Sequence, residues 1–70
     1  MKHLRHFEQL QEGKIYTDHD GVCAFKFIGM YNSQLAEFLE LDYDEEKGDY
    51  VDTDIVRYFN HFEITDLVEA

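Results

Sequence analysis

Phe38-Leu39-Glu40-Leu41-Asp42-Tyr43-Asp44, then Glu45-Glu46-Lys47-Gly48, then Asp49-Tyr50-Val51-Asp52-Thr53 is the stretch on which the fold turns. From Phe38 onward apolar and acidic residues alternate. Leu39, Leu41 and Tyr43 fall on one side and Glu40, Asp42 and Asp44 on the other, the period of two that belongs to a strand. A rival reading starts a helix near Leu35, because Ala36, Glu37, Leu39, Glu40 and Leu41 are good helix formers. The sustained alternation favours the strand. Glu45 to Gly48 then reads as a hairpin loop closed by glycine, with the chain returning as a strand over 49–53.

The same grammar extends toward the N-terminus. Asp18-His19-Asp20-Gly21 lies between two apolar runs, a strong hairpin signal. It predicts strands over 14–17 and 22–28. In the second of these Cys23, Phe25 and Phe27 share one face and Val22, Ala24, Lys26 and Ile28 the other, which makes Cys23 a small buried apolar residue of the core. Residues 29–34 connect this hairpin to the next. Near the start, Leu4, Phe7 and Leu10 recur at helical spacing, so residues 3–11 read as a short helix or a close-fitting arm, ended by Glu12-Gly13. Toward the C-terminus, Thr53 is placed to cap a short helical turn over 54–60. Asp54 sits in its first turn and Ile55, Tyr58 and Phe59 on one side. Residues 62–65 read as a last strand.

The expected fold is mainly β with short helical elements (α+β). It is either a twisted antiparallel sheet of four to five strands or a small SH3-like barrel, in one domain spanning 1–70, with 1–12 as the arm and 13–70 as the sheet. Seventy residues bury only about 60% of the unfolded surface. The one cysteine cannot form an internal disulfide, so six Phe and five Tyr must supply most of the core. No apolar run approaches the roughly 20 residues of a membrane span. With an unpaired thiol and no signal-like apolar stretch near Met1, the chain reads as a soluble cytoplasmic protein.

Charge is the feature most relevant to function. Residues 1–31 hold four acids against four lysines and arginines, and residues 32–70 hold twelve acids against Lys47 and Arg57, which accounts for the whole net charge of −10. Nine of those acids fall between Glu37 and Asp54. Such a surface repels nucleic acid and anionic membrane and attracts basic protein surfaces. The interleaved Phe38, Leu39, Leu41, Tyr43, Tyr50, Val51, Ile55 and Val56 argue against a disordered acidic tail. The candidate partner-binding residues are therefore Glu37, Glu40, Asp42, Asp44, Glu45, Glu46, Asp49, Asp52 and Asp54, with Tyr50 as an aromatic contact among them in one hairpin register and packed inward, with Val51 outward, in the other. Carboxylates on adjacent strands, spaced at about 6.6–6.8 Å along each, approach the density of nucleic-acid phosphates, the requirement for a nucleic-acid mimic. The same acids also suit a solvated face that only keeps the chain soluble.

Other chemistries find little support. Asp42, Asp44 and Glu46 have the spacing that opens an EF-hand, but the sixth position is Lys47 and the twelfth Thr53 where Gly and Glu are needed. His3 and His6 are one helical turn apart without a carboxylate at ligand spacing, His19 sits in the predicted turn, and His61 flanks Phe59 and Phe62. Ser33, the one serine, has no nucleophile signature, and Gly13, Gly21, Gly29 and Gly48 form no phosphate loop. Neither a catalytic role, nor a cofactor, nor a metal is expected.

In size and in the stretch from Glu37 to Asp54 the chain resembles the tiny acidic accessory proteins that bacteriophages direct against host nucleic-acid machinery, including anti-restriction and anti-CRISPR proteins. The resemblance has no diagnostic motif and transfers no residue role. It implies an inhibitor or regulator acting in the host cytoplasm. Its partner would be a larger protein with a basic, nucleic-acid-binding surface, and it would make no direct contact with nucleic acid or membrane. The alternative is a structural or adaptor module that uses apolar surface to pair with another protein or with a second copy as a homodimer.

Overall fold

The computed structural model describes residues 4–69. Five strands form one antiparallel sheet: β1 (Ile15–Asp18), β2 (Ala24–Met30), β3 (Ala36–Asp44), β4 (Asp49–Phe59) and β5 (Leu67–Glu69). Their order across the sheet is β4-β3-β2-β1-β5. Strands β4 and β5 are the two edges and do not pair, so the sheet stays open rather than closing into a barrel. Short 3-10 turns at Phe7–Gln9 and Glu63–Asp66 are the only helical elements among the described residues.

Both expected hairpins form where their turn chemistry lies. The Asp18 carboxylate accepts the Val22 backbone N–H at 2.9 Å, while Gly21 takes φ +73°. The Asp44 carboxylate accepts the Glu46 N–H at 2.9 Å, the Asp44 carbonyl accepts the Gly48 N–H at 2.8 Å, and Gly48 takes φ +67°. Each aspartate satisfies the tight turn from its first residue, and each glycine supplies the left-handed backbone that an L side chain resists.

Register decides which face is the core. Tyr16 pairs with Phe25, Phe27 with Phe38, and Ala36 with Phe59. Directly paired residues project to the same side, so the large aromatics gather on one face. Phe38 is fully buried there, its ring 5.3 Å from that of Phe27 and 5.1 Å from that of Phe59. Leu4 and Leu10 of the N-terminal arm, with Ile64 and Leu67 from the C-terminal segment, complete this core. The two coverings are tied to the sheet. Leu4 N–H donates to the Leu67 carbonyl at 3.2 Å, and Gln11 N–H donates to the buried Tyr16 hydroxyl at 2.9 Å. The predicted inward residues Leu4, Phe7 and Leu10 all belong to this packing, although only Phe7–Gln9 is helical and His3 lies outside the described residues.

Three expectations are corrected. The helical turn at 54–60 is instead the second half of β4, where Val56 pairs with Leu39 and Tyr58 with Glu37. Branched and aromatic side chains in the run from Ile55 to Phe59 suit a pleated surface, and pairing with β3 satisfies a backbone that a short helix would leave partly open. The helical turn falls later and the last strand starts at Leu67, not Phe62. The local signal for that turn is Asn60-x-x-Glu63: the Asn60 side chain accepts the Glu63 N–H at 2.8 Å and the Glu63 side chain accepts the Asn60 N–H at 3.0 Å, a reciprocal pair that closes the chain reversal leading into the 3-10 turn. Finally, Cys23 is exposed and precedes β2, which begins at Ala24 and runs to Met30. The Cys23 carbonyl still accepts the Asp18 N–H at 3.1 Å, but the residue sits against the Asp18 turn at the end of the hairpin, so the alternation that buries Phe25 and Phe27 does not bury the thiol.

Candidate functional site

Strand β2 ends its pairing with β3 at Ala24 opposite Leu41. Beyond that point β3 continues to Asp44, turns, and returns as β4, with Asp42 opposite Val51, Tyr43 opposite Tyr50 and Asp44 opposite Asp49. Residues 42–51 are therefore a two-stranded arm that extends past the body of the sheet by roughly 10 Å, three residues at strand rise, plus the turn. Most of the predicted acidic residues stand on this arm.

The alternation along β3 is as the sequence pattern gives it, and the pairing decides which side meets the core. Phe38 faces the core, so Glu40, Asp42 and Asp44 lie on the core side of the sheet, beyond the area that the aromatics cover. Leu39, Leu41 and Tyr43 lie on the opposite side. Glu40 pairs with Phe25 near the end of the covered area and is met by the Arg57 guanidinium at 3.5 Å. Asp42, Asp44 and Asp49 share that face on the arm, while Glu45 and Glu46 occupy the exposed tip.

The remaining acids are elsewhere. Asp52 pairs with Leu41, and Tyr50 with Tyr43, on the other face of the arm. Asp49 and Asp52 are three residues apart, and the pleat sends them to opposite sides. The carboxylates thus surround the arm instead of forming a single plane. Tyr50 and Asp52 do share a side, with the Tyr43 and Tyr50 rings edge-to-face at 5.4 Å. Glu37 lies back on the body, opposite Tyr58. Asp54 sits in a bulge: Thr53, Asp54 and Ile55 together oppose Glu40 alone, and Asp54 takes φ +63°. The Thr53 hydroxyl donates to the Glu40 carbonyl at 2.8 Å, so Thr53 pins this bulge rather than capping a helix.

Asp44 and Asp49 face each other directly across the arm. Like charges so placed disfavour the pairing, by about 0.2–1 kcal/mol on the usual scale of cross-strand pairs. Part of this is offset locally. Asp44 accepts N–H bonds from Glu46 and Lys47 at 2.9 and 3.3 Å, and Asp49 accepts that of Tyr50 at 2.7 Å.

The face of the sheet away from the aromatic core carries a feature that the sequence pattern did not reveal. Tyr31 and Tyr58 contact edge-to-face at 4.8 Å and are exposed, and Val56 is exposed beside them on β4. Period-two reading of residues 55–59 would have found Val56 and Tyr58 together, but the helical reading hid them. Among the described residues no group of three or more His, Cys, Asp and Glu is arranged to hold a metal ion, and no helix is long and apolar enough to cross a membrane. No protein-family model, curated protein or solved structure matches the chain.

Proposed function

We propose that this protein is a small acidic inhibitor or regulator that docks its negative arm on a basic, nucleic-acid-binding surface of a larger protein, as a nucleic-acid mimic of the kind phages encode. The observation that carries the reading is the opposition of Asp44 and Asp49 at the end of a projecting hairpin, with Asp42 on the same face. Fold stability alone disfavours like charges at facing positions, and departures of that kind concentrate where a surface serves binding. A hairpin also holds its carboxylates in place before contact, which lowers the ordering cost of association.

A second reading has its own support. The exposed Tyr31, Val56 and Tyr58 suit an adaptor or assembly module that binds through an apolar surface, since aromatic residues are enriched at interfaces. The strand order, with a 3-10 turn before β5 returns beside β1, fits an open form of an SH3-like arrangement, a class of fold that hosts many functions and selects neither reading.

Salt separates the two. Partner captured from host lysate on the immobilised protein leaves at moderate salt if charge dominates and resists salt if apolar contact does. The decisive variant combines Asp42→Lys and Asp49→Lys with Asp44→Asn, because asparagine keeps the oxygen that accepts the turn N–H groups. It is expected to fold normally and lose the partner. Retained binding by this variant, or direct binding of DNA by the unchanged protein, would overturn the mimic reading.

A further inference from the structure

Among the described residues no strand pairs with the outer edge of β4, Asp49–Phe59, where the Asp49 carboxylate accepts the Tyr50 N–H at 2.7 Å and the Thr53 hydroxyl accepts the Ile55 N–H at 3.3 Å. Every second residue of such an edge points its backbone N–H and C=O away from the sheet, a template for another strand. The other edge, β5, offers only three residues. The bulge at Asp54 divides β4 into two pieces, and in the piece nearer the arm tip, 49–53, residues 49–51 belong to a ribbon of only two strands while Asp52 lies opposite Leu41, where β2 joins. Two-stranded ribbons are marginal in water, and a third strand completes the pairing that this one lacks.

The residues along this piece select what can add there. Asp49 projects on one side and Asp52 on the other, with Tyr50 beside Asp52 and Tyr43 across from Tyr50. A second copy of this chain brings a further net charge of −10 to the same place, so self-pairing is opposed. An acidic or neutral strand meets repulsion or gains nothing from the carboxylates. A strand bearing arginine meets a carboxylate on either face, and on the Asp52 face also the half-buried Tyr50 ring. Planar guanidinium both pairs with carboxylate and stacks on aromatic rings, which lysine does less well.

Resting on the acidic-docking reading above, we propose that the partner contributes an extended, arginine-bearing segment that adds to β4 over 49–53 as a sixth strand. Main-chain hydrogen bonds hold the segment, and the Asp49, Asp52 and Tyr50 side chains set its charge preference.

The test is NMR titration of the isotopically labelled full chain with a decapeptide of alternating Arg and Thr. Two control peptides accompany it: a twin N-methylated at every backbone amide, and an analogue with Glu for Arg. Shift changes and slowed amide exchange should concentrate on residues 49–53. The N-methylated twin should bind at least tenfold more weakly and the Glu peptide not at all. Equal binding of the methylated twin overturns strand addition while leaving acidic docking intact. Binding of the Glu peptide overturns the charge preference. Absence of binding by the Arg peptide at low salt overturns strand addition, and docking is then judged separately by the arm variant and the captured partner. Concentration-dependent dimerisation through the same residues, seen by sedimentation, assigns the edge to a second copy and overturns the proposal.

Discussion

The body of the sheet and its arm are built by opposite rules. In the body, Phe38 has four aromatic neighbours, Tyr16, Phe25, Phe27 and Phe59, and both chain segments flanking the sheet fold over them. In the arm, carboxylates face each other, nothing covers the surface, and two strands stand without a third. The difference teaches that the body supplies the stability that permits the arm its unfavourable charges. A chain of this size has a stability of roughly 3.5–10 kcal/mol at typical values per residue, so one part can be destabilising only if the other is well packed.

The contrast is broken most severely from the body side. Phe38→Ala should cost about 3–5 kcal/mol, enough to unfold much of the population at 25 °C, measured by urea titration with circular dichroism. Stability that falls by less than 1 kcal/mol would mean that the aromatic face is not the principal core. Tyr16→Phe tests the tie between body and arm segment at the N-terminus. Removing the hydroxyl leaves the Gln11 N–H without its acceptor, and a loss of about 1–2 kcal/mol is expected in the same assay.

On the arm the expected sign reverses. Asp49→Lys places a cation opposite Asp44 and should raise stability by about 0.5 kcal/mol while weakening the captured partner at least tenfold. A variant that gains stability and keeps its partner would show that the facing acids are not a binding device. Asp54→Gly should also stabilise, by about 0.5 kcal/mol, since φ +63° costs glycine nothing and an L residue something, whereas Asp54→Val should destabilise by about 1–2 kcal/mol.

The smallest effect is at the β1–β5 edge. The Glu69 carboxylate hydrogen-bonds the Lys14 ammonium, and its negative charge adds to the effect, raising the Lys14 pKa above its ordinary 10.5. Because the folded value is the higher one, this contribution is complete below pH 10.5 and fades as pH rises through the raised value. Lys14→Met should therefore lower the Tm slightly at pH 7 and by less near pH 12. An equal difference at both values would place the role of Lys14 in packing of its stem instead of in its charge.

Much of this architecture was legible in local chemistry. Asp18 and Gly21, and Asp44 and Gly48, mark their hairpins because each turn is satisfied within itself. The strand reading of β3 over its helical rival rests on alternation that holds from Phe38 through Asp44. The helical reading of residues 54–60 failed for a complementary reason. Thr53 and Asp54 resemble a helix start, yet their roles, a hydroxyl bond to Glu40 and a left-handed bulge, exist only once β3 lies alongside.

By itself the sequence determined two hairpins, an aromatic core and the concentration of acids between Glu37 and Asp54. Tertiary structure alone decided where those acids point. Register sets Phe38 against Phe27 and thereby turns the Glu40, Asp42 and Asp44 side of β3 toward the core face. Because β2 starts at Ala24, opposite Leu41, the outer part of these acids stands on a two-stranded arm past the packed core. Alternation along one strand defines two faces but does not say which is buried, because burial depends on the neighbour that each face meets.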